Sequence, residues 1–383
     1  MFAPYAHLSH DWRQGRPLMR LFDGKIVSYV PTPYHHNHAP AMVDLSNGDL
    51  LLAWFAGDTE EGRADIKIAL SRLRAGDNHW SSPVLVSDDY TKSEQNPILQ
   101  QLPDGRVLLM YTSQDAVHMS SAEYRKTNSK INYSRQETAH IRCRISDDLG
   151  ESWGPVETFS DTPGSFCRSP MIKASNGDWI FPMWYSTEDG GLGNDHSVVR
   201  VSSDDGKTWS EYPIPASRGR VHASTVEWRP GELVAFMRSR AADNIYVSKS
   251  RDFGRSWSEP ERTVLPNNNA SIRALQLQSG RIAIIFNHFR GNDDPTRTVW
   301  PRERYPVTIA LSEDGGITWP HMRHIETGDG FCGKDQHLLN RRYEYPWLIQ
   351  SQDGYLHASF AYGNRAGIQH IIVTEAWIMG TES

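Results

Sequence analysis

The chain has 383 residues, a formal net charge of −6 and a pI near 6.2, which argues against the basic face of a nucleic-acid binder. Its hydrophobic content of 38% suits a large folded core, yet no apolar run is long enough for a transmembrane helix, so no membrane partner is expected. Three scattered cysteines (Cys143, Cys167, Cys332) do not make a disulfide framework.

The N-terminal MFAPYAHLSHDWRQGRP lacks the basic start and apolar centre of a signal peptide. The expected location is the cytoplasm, or the periplasm or exterior if a leader has been trimmed. The first predicted strand is GKIVSYV (24–30). The segment YHHNHAP (34–40) then places three histidines in four positions, directly before an apolar hairpin.

That hairpin, AMVDLSNGDLLLAWFA (41–56), is the first of six. The others are PILQQLPDGRVLLMYT (97–112), PMIKASNGDWIFPMWY (170–185), STVEWRPGELVAFMR (224–238), IRALQLQSGRIAIIFN (272–287) and YPWLIQSQDGYLHASFAY (345–362). Asn-Gly or Asp-Gly between alternating apolar runs is the strongest short hairpin signal. A third strand follows, as in DIKIALSR (65–72) and NIYVSKSR (244–251). Next comes a box of the form S-x-D-x-G-x-S/T-W, at 146–153, 202–209, 250–257 and 312–319, with a degenerate copy at 71–80. The box reads as a turn: Asp accepts backbone hydrogen bonds, Gly supplies a left-handed angle and Trp packs onto the sheet. Its residues are structural, not catalytic.

Six four-stranded units predict an all-β fold, a six-bladed β-propeller with Asp-box hairpins, in one domain over 1–383. The last unit ends at IQHIIVTEAWI (368–378) without a box, so 24–30 is the natural donor of its missing outer strand. Two polar inserts, 114–140 and 290–304, interrupt the repeat and are expected to cover a functional face.

Several polar residues open blades at the ring centre. Arg168 in CRSP and Asn96 and Asn269 at two further strand starts are candidates for binding sugar groups, as are His288 and Arg290 after the fifth hairpin. Three histidines in a row of extended residues cannot all point one way, so no metal set is expected at 35–38 and no cofactor is implied. His35 and His36 read as loop surface, and His38 as the residue facing the centre.

The boxes, the unit count and their order resemble the sialidase superfamily over residues 24–378. That resemblance implies three arginines clamping a carboxylate, a Tyr nucleophile with a Glu partner, and an acidic acid/base on a first-blade loop. Matched here, the Arg-Ile-Pro arginine is replaced by His38 of His38-Ala39-Pro40. The second arginine corresponds to Arg238 and the third to Arg304 or Arg302. The nucleophile corresponds to Tyr345, and the Glu position is taken by His222. The acid/base corresponds to Asp58 or Glu61 in the 57–63 loop.

The resemblance implies an enzyme that cleaves an acidic oligosaccharide or polysaccharide, sialidase-like but not a standard sialidase. Two histidines in place of Arg and Glu also suit β-elimination on a uronate, such as a rhamnose–glucuronate linkage, since His titrates near neutrality. A third reading is a non-catalytic glycan-binding propeller.

Overall fold

The computed structural model describes residues 12–117, 134–188, 193–328 and 341–381; most of the first polar insert, and Cys332, lie outside them. Six antiparallel sheets form the ring. Blade 1 comprises His36–Asp44, Leu50–Gly57, Lys67–Leu73 and Val84–Leu85, from the centre outward. Blade 2 follows the same order over Lys92–Gln101, Val107–Asp115, His140–Ser146 and Glu157–Ser160. Blade 4 runs from Arg220–Arg229 to Glu261–Pro266, and blade 5 from Arg273–Gln276 to His321–Glu326. In blade 3 the inner strand is split into Ser165–Cys167 and Ile172–Lys173, where one continuous strand was expected.

The second strand of each blade lies between neighbours on both faces, which is why it reads as an unbroken apolar run. Leu50–Gly57 and Leu356–Tyr362 are buried along their whole length. Hairpin turns of one blade are held by the inner strand of the next. Ser46 N donates to Gln101 Oε1 at 2.8 Å, Ser175 N to Glu227 Oε2 at 2.7 Å, and Gln278 N to Gln350 Oε1 at 2.8 Å. The same contact joins the last blade to the first, from Gln352 N to Asp44 Oδ2 at 2.9 Å.

Sheet pairing completes that closure. Ile26–Val30 pairs with Gly367–Val373, so the N-terminal strand supplies the outer strand of blade 6 as expected. Arg16–Arg20 adds a fifth strand outside it, which the repeat pattern did not indicate. In the four boxes, Asp148, Asp204, Asp252 and Asp314 each accept from the backbone N–H four residues on, at 2.8–2.9 Å. Each leading serine accepts from the box glycine.

One irregularity of the inner strands positions the site. Register slips between His38 and Ala41, Gln95 and Ile98, Val221 and Ser224, and Glu344 and Trp347. At each bulge one residue is forced to positive φ: Ala39 (53), Asn96 (49), His222 (53) and Tyr345 (52), with Asn269 (56) just ahead of the blade 5 strand. A bulge bends its strand and re-aims a side chain, and non-glycine residues held there carry strain that concentrates at functional sites.

Candidate functional site

Tyr345 stands at the middle of this ring of bulges. Arg238, the penultimate residue of the second strand of blade 4 (Glu232–Ser239), donates from Nη1 to the Tyr345 hydroxyl at 2.6 Å. The same Nη1 lies 3.2 Å from His222 Nε2, and Arg238 Nε donates to Asn269 Oδ1 at 2.7 Å. Arginine can only donate, so His222 Nε2 is an acceptor there. Its Nδ1 therefore carries the proton and donates to Ser271 Oγ at 3.1 Å. Trp184 stacks on the His222 ring with centroids 4.2 Å apart.

Electrostatics follow from this packing. Burial, then the guanidinium of Arg238, push the His222 pKa far below its ordinary value, so the ring is neutral. Burial raises the Tyr345 pKa, but Arg238 and Arg304 act against it, and the net shift is downward. Arg304 lies with its guanidinium carbon 5.3 Å from the Tyr345 ring centre. The phenol is therefore easier to ionise than a free tyrosine.

Beside Tyr345 is a residue that sequence reasoning passed over. Glu344, fully buried, accepts from Arg365 Nε at 2.6 Å and Arg342 Nη2 at 2.7 Å, with Arg304 Nη1 at 3.8 Å. His38 Nδ1 is 3.5 Å from the same carboxylate, and the His38 and Tyr345 ring centres are 4.2 Å apart. Neither His38 ring nitrogen makes a hydrogen bond among the described residues. Burial, then Arg365, hold His38 neutral, while Arg365 and Arg304 outweigh burial and keep Glu344 ionised.

His36 corrects an expectation. It opens the inner strand of blade 1 instead of lying on a surface loop, stacks on Phe55 and faces Arg365 Nη1 at 3.2 Å. Asn37, buried beside it, accepts from Thr32 Oγ1 and Trp54 Nε1, and donates to the carbonyls of Tyr34 and Ala366. The signal for Asn37 lay in YHHNHAP itself, where the histidines drew attention away from it.

Other expected residues fall into four groups. In the 57–63 loop, Glu61 pairs with Arg365 at 2.8 Å and is half-buried, while Asp58 is exposed and pairs with His35 at 3.0 Å. Asp65 organises that loop by accepting from the backbone N–H groups of Asp58 and Thr59. Asn96 and Asn269 sit on the ring, but their amides face the protein: Asn96 towards Thr112, Asn269 between Arg238 and the Val299 carbonyl.

Arg168 reaches the centre as expected, with its guanidinium turned onto backbone carbonyls. It is 1% exposed, and its two Nη atoms point at the carbonyls of Pro40 (2.9 Å), Ala39 (3.3 Å), Tyr345 (3.3 Å) and Pro97 (3.4 Å). It takes the place of the missing strand segment in blade 3, tying blades 1, 2 and 6 together.

The remaining three make no hydrogen bond or ring contact with Tyr345 among the described residues. His288 turns outward against His324 of the outermost strand, with ring centres 5.5 Å apart. Arg290 is exposed and pairs with Asp293. Arg302 is exposed, and its neighbour Arg304 is the one that turns inward. Among the described residues no cluster of three or more His, Cys, Asp or Glu could hold a metal ion.

Comparison with known proteins adds a family. The model of the BNR repeat-like domain matches residues 48–358. A sialidase of Bacteroides fragilis is 30% identical over 209 residues, half of this chain; that match covers 36% of the relative's own length, so its whole-protein activity does not transfer directly. Among solved structures, the Hadza microbial sialidase Hz136 superposes with TM-score 0.68 at 19% identity, over 90% of this chain and 66% of that one. A protein of unknown function from Dyadobacter fermentans gives TM-score 0.69 at 18% identity, over 94% of this chain and 98% of that one. At these identities the structures share the fold.

Proposed function

The chain belongs to the BNR repeat-like family, a sialidase-like propeller, and from that premise we propose that it is a glycosidase acting on an acidic sugar, with Tyr345 as nucleophile. The observation that carries the reading is the placement of the Tyr345 hydroxyl: on a strained bulge at the ring centre, accepting from Arg238 and flanked by Arg304.

The chemistry follows from that placement. With a neutral His222 where a carboxylate base would stand, the arginine field, not a base, favours the phenolate. The phenolate oxygen attacks the anomeric carbon as the glycosidic C–O bond breaks, and Asp58 gives its proton to the departing oxygen. Water then attacks the glycosyl-tyrosine, returning its proton to Asp58 and releasing Tyr345. Asp58 suits this role better than Glu61, because Glu61 is paired with a guanidinium that stays charged, whereas Asp58 is exposed beside the imidazole of His35. Arg238 and Arg304 hold the substrate carboxylate by charge-assisted hydrogen bonds.

The test is turnover of 4-methylumbelliferyl α-N-acetylneuraminide and 4-methylumbelliferyl β-D-glucuronide by wild type, Tyr345→Phe and Asp58→Asn. Release of the fluorophore that is lost in Tyr345→Phe supports the reading. Binding of both glycosides without any turnover would make the protein a glycan-binding propeller instead.

A further inference from the structure

Arg365 has no counterpart in the pattern that the sequence suggested, yet few side chains here are so firmly placed. It lies in the tight turn joining the second and third strands of blade 6, at φ 70, directly after Asn364 at φ 59. Consecutive non-glycine residues in the left-handed region cost free energy and persist only where the surroundings impose them. The surroundings do so from blade 1: Asn37 N donates to the Arg365 carbonyl at 2.8 Å, and the Asn37 amide to the Ala366 carbonyl at 3.1 Å.

The guanidinium is equally constrained. Nε donates to Glu344, and Nη1 to Glu61, with His36 Nε2 also 3.2 Å from Nη1. Nη2 makes no hydrogen bond among the described residues. The side chain is 18% exposed, whereas Arg238 and Arg168 are almost wholly buried. Its carboxylate partner Glu344 also touches His38, so the cation stands at the seam where blade 1 offers an imidazole in place of a guanidinium.

We propose that Arg365 is a substrate-binding residue, supplying to the acidic group of the sugar the third guanidinium that His38 does not. The proposal rests on the glycosidase reading above. Glu344 is a positioning residue in this scheme: it holds Nε, and Nη2 is left without a hydrogen-bond partner among the described residues. Without that anchor the guanidinium would be held at Nη1 alone, by Glu61 and His36.

The experiment measures KM and kcat on 4-methylumbelliferyl α-N-acetylneuraminide and β-D-glucuronide for Arg365→Ala, Arg365→Lys, Arg238→Ala and the double variant His38→Arg/Arg365→Ala, with a melting temperature for each. Losing one charged hydrogen-bond donor predicts a rise in KM of about 10- to 100-fold for Arg365→Ala, with kcat changing less. The double variant regains affinity, because the new arginine reaches the same group from blade 1; a merely structural role would show no such rescue. Arg365→Lys keeps a charge for Glu344 but loses the fork, so its KM rises while its melting temperature holds.

If Arg365→Ala fails to fold, Arg365→Lys decides. A KM within twofold of wild type in the folded Arg365 variants, with Arg238→Ala still impaired, overturns the assignment of Arg365 alone. Unchanged kinetics in Arg238→Ala as well, or no turnover by wild type, overturns the glycosidase reading and this proposal with it.

Discussion

Replacing Arg168 with methionine removes the guanidinium that joins three blades at the ring centre. Its carbonyl partners lie at 2.9, 3.3, 3.3 and 3.4 Å, so one hydrogen bond is short and three are long. The guanidinium carbon also sits 4.9 Å from the Trp347 ring centre. Burial pushes its pKa down to about 9, which still leaves it charged at neutral pH. A hydrogen bond from a charged donor contributes about 1.5–3 kcal/mol, and a buried carbonyl left unpaired costs about 1–3 kcal/mol. Methionine fills most of the volume but satisfies none of the carbonyls. The expected loss is about 3–5 kcal/mol, the lost charged hydrogen bond and a stranded carbonyl taken together. Denaturant unfolding of wild type and Arg168→Met measures it, and KM on an acidic glycoside measures the rest. The folded variant is expected to keep its KM within a few-fold, because the Arg168 guanidinium is engaged by backbone carbonyls. A loss below about 1 kcal/mol together with a large rise in KM would refute the hub assignment and make Arg168 a substrate ligand.

Further outcomes follow from the same geometry. Arg238→Gln removes the cation that favours the Tyr345 phenolate, so the limb of the kcat/KM profile that rises with pH moves to higher pH. The sign is fixed, since a cation stabilises the ionised phenol and its loss raises the pKa. His357 and His370, buried 3.0 Å apart in blade 6, stay neutral when folded, and burial holds the His357 pKa down to about 4. The unfolded chain takes up a proton near pH 6.5 and the folded chain does not, so stability is full above that pH. It falls by about 3 kcal/mol for His357 as pH drops towards 4, measured by denaturant unfolding at pH 7 and pH 4. Asn37→Ala strands the Trp54 and Thr32 donors and releases the Ala366 carbonyl, and is expected to cost about 2–4 kcal/mol in the same assay.

Local rules carried most of the fold in the sequence. Asn-Gly and Asp-Gly turns, fully apolar second strands and the spaced Asp-boxes each dictate one hairpin, and their repetition dictates a ring. The strand 24–30 was legible because the sixth unit lacked its outer partner, whereas Arg16–Arg20 carries no turn or period that marks it. Tyr345, His222 and Arg238 were reached through the family resemblance, and the fold brings the three side chains together. The site was not legible where contact depends on the ring closing. Arg365 meets Glu61 and His36 only because blade 6 abuts blade 1, across 304 and 329 residues of chain. Glu344 was hidden by its neighbour: adjacent residues on a bulged strand both reach the centre, where regular alternation would send one of them away. Arg302 and Arg304 show the same limit, since only the folded insert decides which of them turns inward.

The central claim is that Tyr345 forms a bond to the sugar. The most direct measurement is the mass of the peptide containing Tyr345 after incubation with 2,3-difluoro-N-acetylneuraminic acid, whose second fluorine slows breakdown of a glycosyl-enzyme. One sugar-sized mass increment on Tyr345, absent in Tyr345→Phe, is the expected result. Turnover of acidic glycosides with the increment on Asp58 or Glu61 instead would contradict it.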